Sequence, residues 1–247
     1  MHESDLHKIE TLRGENPEID RLFHLMEEEH RLLLSNISHE LRNSLALAIS
    51  SLQYIESIHP ETKDFPYWVE TMGDLVHMKN LLINFSDYNN GAKLNCQPVD
   101  VCTLLEEIYR SMLPFFKEQN LTFLFEKNGP GQTLSLDSTK FKQAVINLLK
   151  NASEAVSEGQ TVFLIYQCRH DALSVIVRDQ GMGMTEEQLT TLFKPFTTSK
   201  SSGSGLGLPI TKRIVEAHGG KLQVTSSPGE GTTCTITFPI GALACDT

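Results

Sequence analysis

Long hydrophobic runs are absent from this chain of 247 residues. Its longest promising uncharged stretch, Asn43 to Ile55, is shorter than the roughly 20 apolar residues that a membrane helix needs, and it contains Asn, Ser and Gln. No secretory signal pattern precedes it. The sequence therefore predicts that no segment of this chain spans a membrane.

Cysteine is scarce and never falls into a CxxC pair. The five residues are odd in number and widely scattered, at Cys96, Cys102, Cys168, Cys234 and Cys245. This spacing predicts neither a zinc site nor a disulfide framework, and it favours a reduced, cytoplasmic location.

Positive charge is also scarce, with 21 Lys and Arg against 31 Asp and Glu and a net charge of -10. Sequence-independent nucleic-acid binding needs a basic footprint, so nucleic acid is not an expected partner. A solvated acidic surface is sufficient to explain this charge balance.

A helix of about 40 residues is predicted to begin at Asn16 and Pro17, because Asn caps free amides and Pro suits the first turn. Pro60 marks its end. Apolar residues recur along it at helical spacing: Ile19, Leu22, Phe23, Met26, Leu33, Ile37, Leu41, Leu45, Ala48, Leu52 and Ile55. A stripe of this length needs a partner along its whole face.

A second helical stripe supplies that partner and runs to the polar cluster Tyr88 to Gly91. Its apolar members are Phe65, Trp68, Met72, Leu75, Met78, Leu82 and Phe85. Because one hairpin buries little surface, two copies are predicted to form a four-helix bundle, which makes the protein a homodimer. The alternative is a monomer whose hairpin packs on its own second domain.

After Gly91 the pattern changes to short strands and helices. Predicted strands are 94–99, 121–126, 133–136, 161–167, 173–178, 221–225 and 232–238, and predicted helices are 101–119, 138–157 and 208–218. This order predicts an α+β fold, an α/β sandwich with helices on one face of a mixed sheet. The domain prediction is a flexible tail or sensor linker at 1–15, a helical domain at 16–91 and a second domain at 92–247.

The string SHELRNSL places His39 on the first helix, about 200° from both Ile37 and Leu41. The ring is therefore expected to face solvent. Asn43 lies one turn later on the same face, and Glu40 could take a proton from one ring nitrogen while the other attacks phosphorus. An ordinary exposed surface histidine remains the alternative.

Asn147 and Asn151 lie four residues apart and share one face of the predicted helix 138–157. Their amide oxygens suit a hard cation such as Mg²⁺, which keeps waters and phosphate oxygens as its other ligands. Hydrogen bonding at the rim of the core is the alternative for this pair.

A buried strand is predicted to deliver Asp179 at its end, followed by Gly181 and Gly183 in a turn. A carboxylate can accept from the exocyclic amine of adenine, and glycines permit close approach of a ligand. A plain Asp and Gly turn is the alternative.

Glycines recur again at Gly203, Gly205 and Gly207, just before a predicted helix. Their backbone amides and the positive helix end are suited to phosphate oxygens. Neither a GxxxxGK[ST] string nor a strand followed by GxGxxG is present, so a P-loop and a Rossmann site are both excluded.

The string SHELRNSL resembles the H-box of two-component sensor histidine kinases. The resemblance implies that His39 is phosphorylated, that Glu40 is the acid/base residue and that Asn43 orients water when a partner is dephosphorylated. Arg42 is then expected to be a charge on the docking surface. Ser44 replaces the usual proline, which would bend the helix, so the bend expected there is in doubt.

The later strings resemble, in order, the boxes of the ATPase superfamily shared by gyrase, Hsp90 chaperones, mismatch-repair ATPases and histidine kinases. The resemblance assigns Mg²⁺ to Asn151, phosphate or metal contact to Asn147 and adenine recognition to Asp179. In the ATP lid, Phe193 and Phe196 would anchor the first part in the core. Lys200 would reach the terminal phosphates.

Together these resemblances imply an ATP-dependent histidine kinase that passes its phosphoryl group to an Asp of a response regulator receiver domain. The run NLLKNASEA and the compact lid resemble nitrogen-regulatory and sporulation-type kinases. Members of this family are often membrane-anchored, so the chain is expected to be a soluble member or a fragment of a longer sensor. Two rivals remain, an ATP-sensing dimer without catalysis and an anti-sigma-type serine kinase.

Overall fold

The computed structural model describes residues 17–89, 94–169, 171–198 and 204–240. The chain divides into two compact units between Asn90 and Gly91. The first unit is helical and the second combines helices with a sheet.

Two antiparallel helices form the first unit. Helix α1 is Pro17–Ile58, a short 3₁₀ helix follows at Pro60–Asp64, and helix α2 is Trp68–Asn89. The predicted first helix is thus confirmed, with its end just before Pro60. The second begins at Trp68 because Phe65 precedes Pro66 and takes an extended backbone with φ −69° and ψ 136°.

A heptad-spaced seam joins α1 and α2. Its buried or half-buried members on α1 are Ser35, Ser38, Arg42, Leu45, Ile49, Leu52 and Glu56, and on α2 they are Trp68, Met72, Leu75, Lys79, Leu82 and Ser86. Trp68 Nε1 donates to Glu56 Oε2 at 3.1 Å, which fixes the register beside the turn.

A second apolar face of α1 remains exposed in the single chain. Ile37 is 49% exposed and Leu41 is 50% exposed. The expectation that both lie in one buried stripe is therefore not met within one copy. The predicted stripe mixes two faces, one against α2 and one open, because a 3.6-residue period cannot separate two adjacent seams.

Within its described residues, the second unit has seven strands: β1 Gln97–Asp100, β2 Thr122–Asn128, β3 Thr133–Leu136, β4 Thr161–Cys168, β5 Ala172–Asp179, β6 Lys221–Ser227 and β7 Gly231–Pro239. Five form one sheet in the order β2-β4-β5-β7-β6, and β1 pairs with β3 separately. Only β2 and β4 run parallel. The mixed sheet that the sequence predicts is confirmed.

Four helices accompany these strands: α3 Val101–Glu118, α4 Ser138–Ala155, α5 Glu186–Thr191 and α6 Gly207–Ala217. Helices α3 and α4 bury one apolar face each, including Leu105, Phe141 and Leu149, in the same core as Leu164 and Val175 of the sheet. The α+β fold class is confirmed, and the core fixes α4 over the sheet.

Helix α5 is absent from the sequence prediction. It begins with a capping box, in which Gln188 N donates to Thr185 Oγ1 at 3.3 Å and Thr185 N donates to Gln188 Oε1 at 2.9 Å. The signal T-x-x-Q was present in the sequence. With six residues and no buried side chain, the helix lacks the periodicity that reveals longer helices.

The cysteines differ from the sequence prediction at one position. Cys102, Cys168 and Cys234 are free, whereas Cys96 is disulfide-bonded. Scattered spacing along the chain does not reveal which thiols lie close in space.

Candidate active site

His39 presents its imidazole to solvent from α1, as the sequence predicts. The Nδ2 atom of Asn43, one turn later, lies 3.3 Å from His39 Nδ1. Glu40, the next residue, is exposed, and its carboxylate makes no hydrogen bond to the ring. The structure thus brings Asn43, rather than Glu40, to the ring nitrogen.

The Asn43 contact bears on which nitrogen of His39 can react. When the amide donates its N–H, Nδ1 is the acceptor and the ring proton sits on Nε2. When the amide presents its oxygen instead, Nδ1 carries the proton and the lone pair of Nε2 is available to attack. Each orientation of the carboxamide therefore fits one neutral tautomer of the ring.

The neighbours of His39 on the other side of α1 are turned inward. Ser38 is 1% exposed and its hydroxyl donates to Leu34 O at 2.6 Å. Arg42 is half-buried in the seam, and its Nε is a buried atom without a hydrogen-bond partner. The heptad places position 42 against α2, so Arg42 is only partly open to solvent, and its role as a charge on the docking surface stays a prediction.

The two asparagines of α4 have different surroundings. Asn147 Nδ2 donates to Thr211 Oγ1 of α6 at 2.8 Å. Asn151 is half-buried one turn later, and its side chain makes no hydrogen bond to any residue that the structure describes. Asn147 thus holds two helices together, while the Asn151 amide is available to a ligand.

Asp179 lies at the end of β5 and is only 6% exposed. Its Oδ1 accepts from Gly181 N at 2.9 Å and from Thr232 N at 3.1 Å. Burial raises the pKa of this carboxyl above its usual value, against the lowering effect of the two N–H donors. Since both donors use Oδ1, Oδ2 remains open as an acceptor.

Glycines surround this region because larger residues do not fit. A Cβ at Gly181 would collide with the backbone oxygen of Ala155, and one at Gly183 would collide with that of Ser227. At Gly207 a Cβ would lie 2.7 Å from Asn147 Oδ1. The absence of side chains lets α6 begin directly against α4.

The segment before α6 turns back sharply at Gly205, where φ is +63°. A Cβ there would lie 2.6 Å from the carbonyl carbon of Phe196. Phe193 packs against the core as expected. Phe196 is 62% exposed with φ +60°, so its predicted anchoring is wrong. Two further residues predicted for the site, Lys200 and Gly203, lie outside the described residues.

The sequence reasoning missed two threonines at this site. Thr211, 1% exposed, accepts from Asn147, and the backbone N–H of Thr232 donates to Asp179. Thr211 could have been found, because it lies four residues after Gly207 and so shares its helix face. Thr232 reaches Asp179 only through the pairing of β5 with β7.

The arrangement in the second unit fits an adenine nucleotide. A buried carboxylate with one open oxygen suits the base, glycines leave space beside it, and the start of α6 supplies backbone amides for phosphate. Asn151 offers an amide oxygen of the kind that Mg²⁺ prefers.

Across the described ranges, the structure has no helix with the length and hydropathy required of a membrane span.

A family model described as "Histidine kinase-, DNA gyrase B-, and HSP90-like ATPase" matches residues 136–242. Sporulation kinase B of Bacillus subtilis (strain 168) is 30% identical over 210 residues, which cover 84% of this chain and 49% of that protein. The chain therefore spans about half the length of this curated relative.

Two solved structures are similar in fold. Full-length ShkA in complex with AMPPNP aligns with a TM-score of 0.74 and 23% identity, over 86% of this chain and 47% of ShkA. The catalytic domain of the histidine kinase ThkA aligns with a TM-score of 0.54 and 29% identity, over 59% of this chain and 95% of that domain.

Proposed function

We propose that this chain, whose residues 136–242 match the histidine kinase-, DNA gyrase B-, and HSP90-like ATPase family, is a histidine kinase catalytic core that phosphorylates its own His39 from ATP. The observation that carries this proposal is the exposed imidazole of His39 with the Asn43 carboxamide at its Nδ1. An ordinary surface histidine needs no such partner.

The phosphoryl transfer follows from the two ring nitrogens. With the proton on Nδ1, the lone pair of Nε2 attacks the terminal phosphorus of ATP, and the bond to the bridging oxygen breaks so that ADP leaves with the electron pair. Glu40, the next residue on α1 and exposed to solvent, takes the Nδ1 proton when the Asn43 amide leaves this nitrogen. The product is a phosphoramidate on Nε2.

The second unit holds the nucleotide for this step. Asp179 accepts from the adenine amine through Oδ2, and the backbone amides at Gly205 and Gly207 bind phosphate oxygens. Asn151 supplies an oxygen ligand for Mg²⁺. When bound, this ion supplies positive charge to the phosphates and reduces their repulsion of the attacking lone pair.

The phosphoryl group then passes to an Asp carboxylate of a response regulator receiver domain, in the cytoplasm where ATP is supplied.

Asn43 also supports dephosphorylation of that partner. Its amide lies within hydrogen-bonding reach of a group at His39, so it can orient the water that hydrolyses the phosphorylated partner.

Homodimerisation through residues 16–91 is supported by the open apolar face of α1. Ile37 at 49%, Leu41 at 50% and Ile55 at 41% exposure lie on one side of the helix. In a four-helix bundle this face would pack on its counterpart in a second copy and leave the His39 face in water.

Incubation with ATP labelled on the terminal phosphate tests the kinase proposal. The full chain is expected to take up label that is stable in alkali and labile in acid. His39→Gln should abolish the label, and the matched control His59→Gln, at an exposed histidine beside the helical turn, should retain it. Label that survives His39→Gln, or no label in the unsubstituted chain, contradicts the proposal.

A further inference from the structure

His218 is a buried histidine at the end of α6 that the proposed chemistry does not use. It is 7% exposed. Its Nδ1 lies 2.7 Å from Ile214 O, and its Nε2 lies 2.9 Å from Asp137 N. A carbonyl can only accept and an amide N–H can only donate, so the ring is neutral with its proton on Nδ1.

The bond to Asp137 joins two helices that carry the nucleotide site. Asp137 caps the start of α4, where its Oδ1 accepts from Thr139 N at 3.1 Å and Lys140 N at 3.0 Å. His218 follows the last residue of α6. The start of α4 is therefore tied to the end of α6.

A second link joins the same two helices nearer the site. Asn147 Nδ2 donates to Thr211 Oγ1 at 2.8 Å, in the middle of α4 and the first half of α6. The two links lie at opposite ends of one antiparallel helix contact. Together the two links set the register of α6 along α4, and with it the position of Gly207 against Asn147.

We propose that neutral His218 is a positioning residue of the ATP site, which sets the register between α4 and α6 through its Nε2 acceptor. This inference rests on the proposed function of the second unit as an ATP site. His218 touches no part of the nucleotide itself, and its effect passes through α4 and α6.

Protonation of His218 at Nε2 would turn the acceptor of the Asp137 N–H into a donor. Burial lowers the pKa of His218, against the raising effects of the Ile214 carbonyl and the Asp137 carboxylate. Among the described residues, Asp137 on α4 is the charged group that faces the ring, and Phe141 packs beside it with a centroid distance of 6.4 Å. A protonated Nε2 would point its hydrogen at the hydrogen of Asp137 N–H, which breaks the link.

Two conservative variants separate the link from the packing. His218→Gln places a carboxamide oxygen near the position of Nε2, where it can still accept from Asp137 N. His218→Asn places its amide near Nδ1, where it can donate to Ile214 O but cannot reach Asp137. Both remain polar and of moderate size, and each keeps one of the two contacts of the ring: His218→Gln keeps the link between helices, and His218→Asn keeps the bond within α6.

Titration of the full chain with AMPPNP and Mg²⁺ at pH 8 gives the first test. His218→Asn should raise the dissociation constant by roughly three- to tenfold, the equivalent of one hydrogen bond, while His218→Gln stays near the unsubstituted chain. Circular dichroism must show both variants folded at the assay temperature. Equal affinity of the folded Asn variant overturns the inference. No binding by the unsubstituted chain overturns the proposed function, and the inference with it.

Nucleotide affinity measured as a function of pH gives a second test, which does not depend on the His218→Asn variant. The ratio of dissociation constants, unsubstituted chain over His218→Gln, should be close to one at pH 8 and should rise as the pH falls below the ordinary range of histidine. The titration of the nucleotide itself cancels in this ratio. A ratio that stays flat down to the lowest pH at which both proteins remain folded contradicts the inference.

Discussion

At the scale of single residues, Asp179 is subject to two opposing effects on its pKa, burial and hydrogen bonding. Two backbone N–H groups hold its Oδ1, yet the side chain is almost fully buried, and burial raises its pKa. The folded state therefore binds the proton more tightly than the unfolded state does. Stability from this group is present at low pH and is lost as the pH rises through the raised pKa.

Asp179→Asn should consequently raise the melting temperature at pH 7 and destroy ATP recognition. The Asn oxygen can keep both N–H contacts, but its NH₂ replaces the Oδ2 acceptor and faces the amine of adenine donor to donor. We expect ATP affinity to fall by roughly a hundredfold or more. Thermal melts and nucleotide titration of the same samples measure both effects.

The matched control for that prediction is Asp171→Asn, on the exposed turn before β5. It should change neither quantity. An Asp179→Asn protein that melts lower than the parent at pH 7, or that binds ATP normally, would contradict the account of this carboxylate.

Much of the residue scale was predictable from the sequence. The solvent-facing position of His39 follows from helix geometry, and Asp179 from its place at a strand end. Arg42 and Phe196 were not predictable in the same way. The first depends on which of two adjacent faces packs on α2, and the second on a backbone reversal with φ +60°. Both are set by contacts distant in sequence.

At the scale of elements, the seam between α1 and α2 changes character along its length. Near the turn it is apolar, with Leu45, Ile49 and Leu52. Near His39 it is polar, with Ser35, Ser38 and Arg42 on α1. The half that carries His39 is thus held by fewer apolar contacts than the half beside the turn.

Arg42→Leu should stabilise this hairpin. Leucine keeps an apolar stem in the seam and removes the buried Nε that has no partner, so we expect the free energy of unfolding to rise by about 1 kcal/mol. Trp68 is the only tryptophan and lies at the start of α2, so its fluorescence in urea reports on this unit.

Arg21→Leu is the matched control, since Arg21 is exposed on the same helix. It should leave the Trp68 transition unchanged at equal protein concentration. A transition of Arg42→Leu at lower urea than the parent would show that the guanidinium stabilises the seam.

The positions of the long helices and strands were predictable from the sequence. Long segments with a clear period, such as α1, α4 and β4, are fixed by which residues must be buried. The pairing order β2-β4-β5-β7-β6 is not, because strands of similar composition can pair in several orders. Nor did local pattern reveal α5, whose side chains bury nothing.

At the scale of the whole molecule, the open face of α1 carries the prediction of a dimer. Leu41→Glu should place a charge in the middle of that face and yield monomers by light scattering. Leu47→Glu is the matched control, because Leu47, 71% exposed, lies about 120° around the helix from Leu41.

The control should leave the dimer intact. Dimers that survive Leu41→Glu, or an unsubstituted chain that is monomeric at micromolar concentration, would contradict the four-helix bundle. The monomer that packs its hairpin on its own second unit would then be the better description.

The central claim is that a water-facing imidazole in the first unit accepts the phosphoryl group that the second unit binds. Mass spectrometry of peptides, prepared at neutral to alkaline pH after incubation with ATP and Mg²⁺, locates that group directly. The account predicts phosphate on His39, and none on Ser38, whose hydroxyl is buried. Phosphate on a serine or threonine, with His39 unmodified, would contradict it.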